Sequence, residues 1–444
     1  MTTTPPTESL LEVTGLKKHF GQSDSFLDRV LGGSGTVHAV DGVDLSVDAG
    51  ETVAVVGESG CGKTTLGHTI LRLEEPTAGS VTYDGTDLTG LSNSEMRSFR
   101  REMQMIFQDP QASLNPRKTV GEVLEAPLRV HDIGLDTEDR RERVKEMLER
   151  VGLKRNHVNR HPRQFSGGQQ QRLGIARALM VEPRLIVADE PTSALDVSVQ
   201  AQILNLLNEL QAEMDLAVLF ITHDLSVVRH TADRVAVMYL GEVVESGPTE
   251  RIFEDARHPY TRSLLSSVPR IDPDARTERQ LLDGSVPSPI DPPSGCRFHT
   301  RCPDIVPPAD WQGSQPLFRT AFDFRRRIDA DDIDVSAVET RLEARGEETT
   351  AAAVADHLLA RTFGDEFDAL SADRQNALRE AATALARRND TDARERVAAA
   401  LPSPCVSTTP SNYAATPNHE AACLRESDDY DTRPSAGEPT ETPR

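Results

Sequence analysis

The sequence predicts an α/β fold: a mixed sheet with helices and a helical subdomain, then an irregular C-terminal extension that carries a mainly helical insertion. Three observations predict it. "VAVVGESGCGKTTLGHTI", from Val53 to Ile70, reads as an apolar strand, a glycine-rich turn and a helix start. "LIVADE" and "LAVLFITHD" are short, β-branched apolar runs on either side of "VSVQAQILNLLNELQAEM", the pattern of buried parallel strands joined by a helix. After about Tyr260 the alternation of strand and helix stops and proline becomes frequent, as in "VPSPIDPPSG".

Taken in order, residues 10–56 read as short strands, "LLEVTGLKKHF" and "VHAVDGVDLSVDAGETVAVVG". The Gly/Ser-containing loop "GQSDSFLDRVLGGSGT" separates them. Residues 66–73 are expected to form the helix after the glycine turn. "SVTYDGTDLTG" reads as strand and turn, with Asp84-Gly85 as a hairpin signal. From Val120 to Val151 the period becomes helical, and Val144, Met147, Leu148 and Val151 share one face. Residues 306–400 hold no chemical motif, and Ala/Arg/Glu-rich stretches such as "SADRQNALREAATALARRN" are expected to be helical. Residues 425–444, polar and rich in Pro and Thr, read as a disordered tail.

The 444 residues allow two or three domains of about 100–200 residues. The net charge is −22, from 71 acidic and 49 basic residues, and only six of the basic ones are Lys. An acidic, Lys-poor chain suits hydration in concentrated salt, so a salt-loving source is expected. The same balance argues against a broad nucleic-acid footprint. No run of 18 apolar residues occurs, and the N-terminus lacks the basic start and apolar core of a signal peptide, so a cytoplasmic location is expected.

The glycine turn, Gly57-Glu58-Ser59-Gly60-Cys61-Gly62-Lys63-Thr64-Thr65, fits a phosphate loop. Its glycines let backbone N–H groups converge on phosphates, Lys63 reaches the β- and γ-phosphates, and Thr64 ligates Mg²⁺. In "RLIVADEPTSALD", Asp189 and Glu190 leave the C-terminal end of a buried strand, where ligand chemistry sits in such sheets. Asp189 is placed to hold Mg²⁺ and Glu190 to polarise a water. "QFSGGQQQRLGIARAL" presents a Ser-Gly-Gly turn at a helix start, which taken alone is an N-cap as readily as an anion site.

Together these motifs resemble the ABC-type ATPases. Their order matches: phosphate loop at 57–65, glutamine loop at Gln108 in "MIFQDP", and signature "FSGGQ" at 165–169, with Phe165 where Leu is commoner. Walker B follows at 185–190, then "SALD" at 193–196 and His223 in "FITHD". The resemblance implies an ATPase domain over 1–262, with a helical subdomain at about 109–170. It implies head-to-tail pairing with a second ATPase subunit, identical or homologous, so that Lys63 of one faces Ser166, Gly167, Gly168 and Gln169 of the other. It also implies Glu190 as catalytic base, His223 on the γ-phosphate, Gln108 sensing metal and water, and Asp196 of "SALD" among the nucleotide-binding residues. Mg²⁺ would lie on Thr64, Gln108 and Asp189, and Phe20 would stack on adenine unless it is a strand-face core residue.

Among ABC roles, the chain lacks an exporter's membrane helices, a second cassette and a long coiled coil. "HAVDGVDLSVDAGETVAVVGESGCGKTTLG", "MQMIFQDPQASLNPRKTVGE" and "RHPYTRSLLSSVPR" resemble the ATPase subunits of oligopeptide/dipeptide importers. The subfamily's C-terminal extension then covers 263–305 and 401–424, interrupted by 306–400. The resemblance implies two membrane permease subunits, an extracellular substrate-binding protein and a place at the cytoplasmic face of the membrane. Importers of nickel, sugars or glycosides, and a soluble ABC ATPase outside transport, are the alternatives. Cys61 lies inside the phosphate loop. Cys296, Cys302, Cys405 and Cys423 form a quartet suited to an iron–sulfur cluster or zinc, or are four unpaired thiols. Some members of the subfamily hold a [4Fe–4S] cluster on such a quartet.

Overall fold

A computed structural model describes residues 9–21, 35–134, 136–193, 195–267, 284–416 and 418–430. Most of the loop between the first two strands, part of the extension and the tail from 431 lie outside the described residues. So does Ala194 of the "SALD" motif.

The strands in chain order are β1 (Leu11–Gly21), β2 (Thr36–Val47), β3 (Thr52–Val56), β4 (Ala78–Tyr83), β5 (Thr86–Asp87) and β6 (Met103–Ile106). They continue with β7 (Leu185–Asp189), β8 (Ala217–Thr222), β9 (Arg234–Tyr239), β10 (Glu242–Pro248), β11 (Tyr413–Thr416) and β12 (His419–Ala421). Two sheets result. A small antiparallel sheet has the order β2-β1-β4-β5, and a larger mixed sheet has the order β11-β12-β10-β9-β3-β8-β7-β6. Within the larger sheet, β6, β7, β8, β3 and β9 are mutually parallel. Every residue of β3, β7 and β8 is buried, which is why these strands read as unbroken apolar runs rather than alternating ones.

Local chemistry explains the turns. Asp84 and Gly85 both have positive φ, 47° and 74°, the left-handed pair that a two-residue hairpin requires, and they join β4 to β5. The helix after the glycine turn spans Lys63–Ile70, three residues earlier than the expected 66–73. Its first turn, Lys-Thr-Thr, carries no apolar residue, so periodicity could not register it. Gly62, at φ 109°, forms the N-cap, where a Cβ would lie 2.0 Å from the Ala39 carbonyl.

The helical subdomain packs Val120–Val130, Thr137–Arg150 and Gly167–Leu179 around Leu124, Leu128, Val144, Met147, Leu148, Val151 and Leu173. Thr119 and Glu122 form a reciprocal capping box at its first helix, and Asp136 caps the second through the N–H groups of Glu138 and Asp139.

Five helices fill the insertion: Gln315–Asp329, Val335–Ala344, Ala351–Phe363, Ala372–Ala386 and Asp390–Ala400. Leu317, Phe318, Ala321, Phe322, Phe324 and Ile328 are buried along the first of them. Its apolar residues join one continuous core with Val56, Val237 and Tyr239 of the main sheet and Phe298, Cys302 and Ile305 of the extension. Each such aromatic or aliphatic burial contributes about 1.5–3 kcal/mol, so the insertion is fastened to the rest by packing. The chain then returns through β11 and β12, which extend the main sheet beyond β10. Residues expected in the tail, 425–430, are placed in short 3₁₀ turns with Ser427 buried. Among the described residues no helix is long and apolar enough to cross a membrane.

Candidate nucleotide-hydrolysing site

Register builds the site. Ile106 of β6 pairs with Ala188 of β7, Asp189 with Ile221 of β8, and Thr222 with Val56 of β3. Gln108, two residues beyond β6, and Glu190, His223 and Gly57, the residues next after β7, β8 and β3, therefore emerge at one edge of the sheet, the C-terminal edge where α/β ligands bind.

Lys63 is 5% exposed, and its Nζ donates to the carbonyls of Gly57 and Glu58, both at 3.0 Å. These bonds shape the loop around the ammonium. Gly57 cannot carry a side chain, because a Cβ would meet the Met238 carbonyl at 2.2 Å. Ser59 and Gly60 are exposed at the tip, and Gly60 has a left-handed φ of 80°. Cys61 is buried, and burial pushes its thiol above the usual value against the opposing charge of Lys63. Thr65 sits in the first helical turn, where its carbonyl accepts from Thr69 Oγ1.

Thr64 Oγ1 donates to Asp189 Oδ1 at 3.1 Å. Asp189 is 2% exposed; burial pushes its carboxyl above the usual range, Glu190 adds to the rise, and Thr64, His68 and Lys63 oppose it. A hydroxyl and a carboxylate side by side are the hard oxygen donors that Mg²⁺ selects, so the pair fits that ion. Glu190 has φ 42°, a left-handed conformation that costs a non-glycine residue of order 1–3 kcal/mol and recurs at functional sites. Its N–H is held by the Ile221 carbonyl at 2.9 Å. Gln108 Nε2 donates to Glu190 Oε2 at 2.9 Å, and His223 Nδ1 lies 2.9 Å from Oε1. The Thr64–Asp189 pair and the Gln108–Glu190–His223 group thus lie side by side at the sheet edge, next to the loop that Lys63 shapes.

Other expected site residues lie elsewhere. Ser166 caps the Gly167–Leu179 helix in a reciprocal box with Gln169. A Cβ on Gly168 would meet Val199 Cγ1 at 2.3 Å, and one on Gly167 would meet Leu195 Cδ2 at 3.6 Å. The signature therefore packs on the segment after Walker B. Asp196 caps the following helix, Val197–Met214, accepting from the Val199 N–H at 3.0 Å. Phe20 is 36% exposed near the end of β1, with Lys18 Nζ over one face of its ring, 4.7 Å from the centre.

The four remaining cysteines gather beside this site. Cys302, Cys405 and Cys423 are buried, and Cys296 donates its N–H to the Cys405 carbonyl at 2.9 Å. Burial raises all four thiols, Cys423 to about 12. At Cys302 the neighbouring Cys405, Cys423 and Cys296 raise it further. No three of the sulfurs lie within 4.8 Å of one another. One tetrahedral zinc at 2.3 Å would draw them to about 3.8 Å. Four converging thiols are the donor type of an iron–sulfur cluster and of zinc alike.

Two residues of this site carried no sequence signal of their role. Tyr260 and Arg301 both bind Glu58 of the phosphate loop. They lie 202 and 243 residues away from it, and no local pattern links them.

The site and fold define a P-loop ATPase of the ABC class. The ABC transporter family model matches residues 40–193, the model for the C-terminal region of oligopeptide/dipeptide transporters matches 244–307, and a domain of unknown function matches 315–418. The oligopeptide transport ATP-binding protein OppF of Salmonella typhimurium is 53% identical over 300 residues, 67% of this chain and 90% of that protein. OppF of Escherichia coli shows the same identity and coverage. A dimeric ATP-binding cassette solved with ADP and Pi is 33% identical, with a TM-score of 0.48 over 54% of this chain and 98% of that one. The chain belongs to the ABC transporter ATP-binding subunits of the oligopeptide/dipeptide importer type, and it is an ATPase.

Proposed function

We propose that the chain hydrolyses ATP to drive uptake of oligopeptides or dipeptides through separate permease subunits. The observation that carries this reading is the match of residues 244–307 to the C-terminal region of oligopeptide/dipeptide transporters, joined to the phosphate-loop half of a nucleotide site on the same chain. The chain works at the cytoplasmic face of the membrane with a second ATPase subunit, two permeases and an extracellular substrate-binding protein.

Each residue has a role. The phosphate loop and Lys63 bind the triphosphate, and Phe20 stacks on the base. Thr64, Asp189 and Gln108 hold Mg²⁺, which neutralises charge on the phosphates when bound. Glu190 accepts a proton from the attacking water, and His223 orients Glu190 and contacts the γ-phosphate. Ser166, Gly167, Gly168, Gln169 and Asp196, remote from Lys63 in one chain, complete the site of the paired subunit. The permease docks at a cleft between the subdomain and the sheet, lined by Leu73, Met105, Phe107, Pro110 and Arg177, where Leu73 and Phe107 are exposed.

Cys296, Cys302, Cys405 and Cys423 hold a [4Fe–4S] cluster, which the insertion tolerates because Cys405 returns to Cys296. Iron and sulfide analysis of anaerobically purified protein tests this, and a colourless, iron-free sample would refute it. The acidic, Lys-poor composition suits a salt-loving source, tested by the unfolding midpoint rising with molar KCl. For the transport reading, the tagged chain is purified from detergent-solubilised membranes. Recovery of two multi-span proteins supports it. A chain that stays in the soluble fraction without them favours an ATPase outside transport, and partners that import nickel or sugars replace peptides as the cargo.

A further inference from the structure

Glu58, the second residue of the phosphate loop, is held from outside the loop on two sides. Arg301 Nη1 and Nη2 donate to its carboxylate oxygens at 2.7 and 3.0 Å, and Arg301 is 7% exposed. The Glu58 N–H donates to the Tyr260 hydroxyl at 2.9 Å. Tyr260 is fully buried against Tyr239 and Phe298, so its hydroxyl is fixed in place. The Glu58 carbonyl in turn accepts from Lys63 Nζ. One loop residue thus connects the phosphate-binding lysine to two residues of the C-terminal region.

Arg301 lies in the turn bounded by Cys296 and Cys302. The same turn carries Arg297, whose guanidinium bonds Asp41 and the Leu240 carbonyl. Leu240 precedes Gly241, whose N–H bonds the Cys61 carbonyl of the loop at 2.9 Å. Both arginines of the turn therefore act on the phosphate loop, one directly and one through a single backbone step.

We propose that Arg301 and Tyr260 are positioning residues for nucleotide binding: they fix Glu58, and through it Lys63, in the shape that receives the triphosphate. The extension thereby sets the ATP affinity of the site. A bidentate, charge-assisted pair with a buried guanidinium gives the geometric constraint such a role needs. A loop released from it must be ordered on each binding event, so ground and transition states weaken together. The proposal rests on the ATPase reading, and wild-type hydrolysis checks that reading separately.

The test uses the full-length protein with Arg301→Gln, Glu58→Gln, the double variant and Arg301→Lys. Binding of a fluorescent ATP analogue gives Kd, and steady-state hydrolysis gives KM and kcat. Arg301→Gln and Glu58→Gln are each expected to raise Kd and KM roughly five- to tenfold, with kcat within about twofold of wild type. The double variant is expected to be no weaker than the worse single one, since both remove the same contact. Arg301→Lys keeps the charge without the fork and recovers part of the affinity. Glu58→Gln lies on a partly exposed loop and reads out the contact even where Arg301→Gln lowers protein yield. An unchanged Kd in Glu58→Gln, or additive losses in the double variant, would overturn the proposal. Absence of hydrolysis by wild type would instead sink the ATPase reading.

Discussion

His223 Nδ1 lies 2.9 Å from Glu190 Oε1, while Gln108 occupies the other oxygen of the same carboxylate. The His223 side chain is more than half exposed, so its pairing with Glu190 contributes little to folding. In the proposed mechanism its role is to orient Glu190. His223→Ala is expected to lower kcat about 100-fold while stability changes by less than ~0.5 kcal/mol. Hydrolysis and thermal unfolding measured on one preparation check both halves. A large loss of stability would reassign His223 to structure.

Lys63 bonds two loop carbonyls from a buried position, so it shapes the loop that is proposed to grip phosphate. Lys63→Ala removes a charge-assisted contact, and ATP affinity is expected to fall at least about tenfold. Equilibrium nucleotide binding reads it directly, and unchanged affinity would contradict the assigned grip.

His258 begins the Pro259–Ser266 helix as a buried N-cap, its Nδ1 accepting from the Tyr260 N–H at 3.1 Å. Burial lowers its pKa from 6.5 to about 4, Arg262 adding to the fall and Glu245 opposing it. The unfolded chain therefore takes up this proton first. The contribution is full above pH 6.5 and is lost as pH falls towards 4, about 3 kcal/mol across that window. His258→Asn keeps a capping acceptor that does not titrate. Denaturant unfolding between pH 4 and 7 should show a shallower acid loss in the variant, and parallel profiles would refute the assignment.

Glu245 on β10 accepts from the N–H groups of Arg257 and His258 and pairs with His419 Nε2 at 2.8 Å, with both side chains wholly buried. His419 belongs to β12, so this contact fastens the end of the described chain to the main sheet. His419→Ala leaves a buried acceptor short of a partner and is expected to cost about 2 kcal/mol in urea unfolding. A change under ~0.5 kcal/mol would show that strand pairing alone holds β12.

The nucleotide site was legible because its parts are local. A strand, a glycine turn and Lys63 are contiguous, and Asp189 and Glu190 directly follow an apolar run. The helix start at Lys63 escaped because Lys-Thr-Thr gives periodicity nothing to read. The pairing of β12 with β10 escaped because a three-residue strand, His419–Ala421, has no period of its own and its partner lies 174 residues back. The Arg301–Glu58 contact escaped for the same reason: an arginine beside a cysteine reads as a surface charge until tertiary packing buries it.

The central claim is that Glu190 is the catalytic base of a site completed by a second subunit. The most direct measurement compares wild type with Glu190→Gln for ATP turnover and for size in solution with ATP and Mg²⁺. The account predicts that wild type hydrolyses ATP, while Glu190→Gln loses at least about 100-fold in rate, retains ATP and runs as a stable dimer. Hydrolysis by Glu190→Gln at the wild-type rate would contradict it.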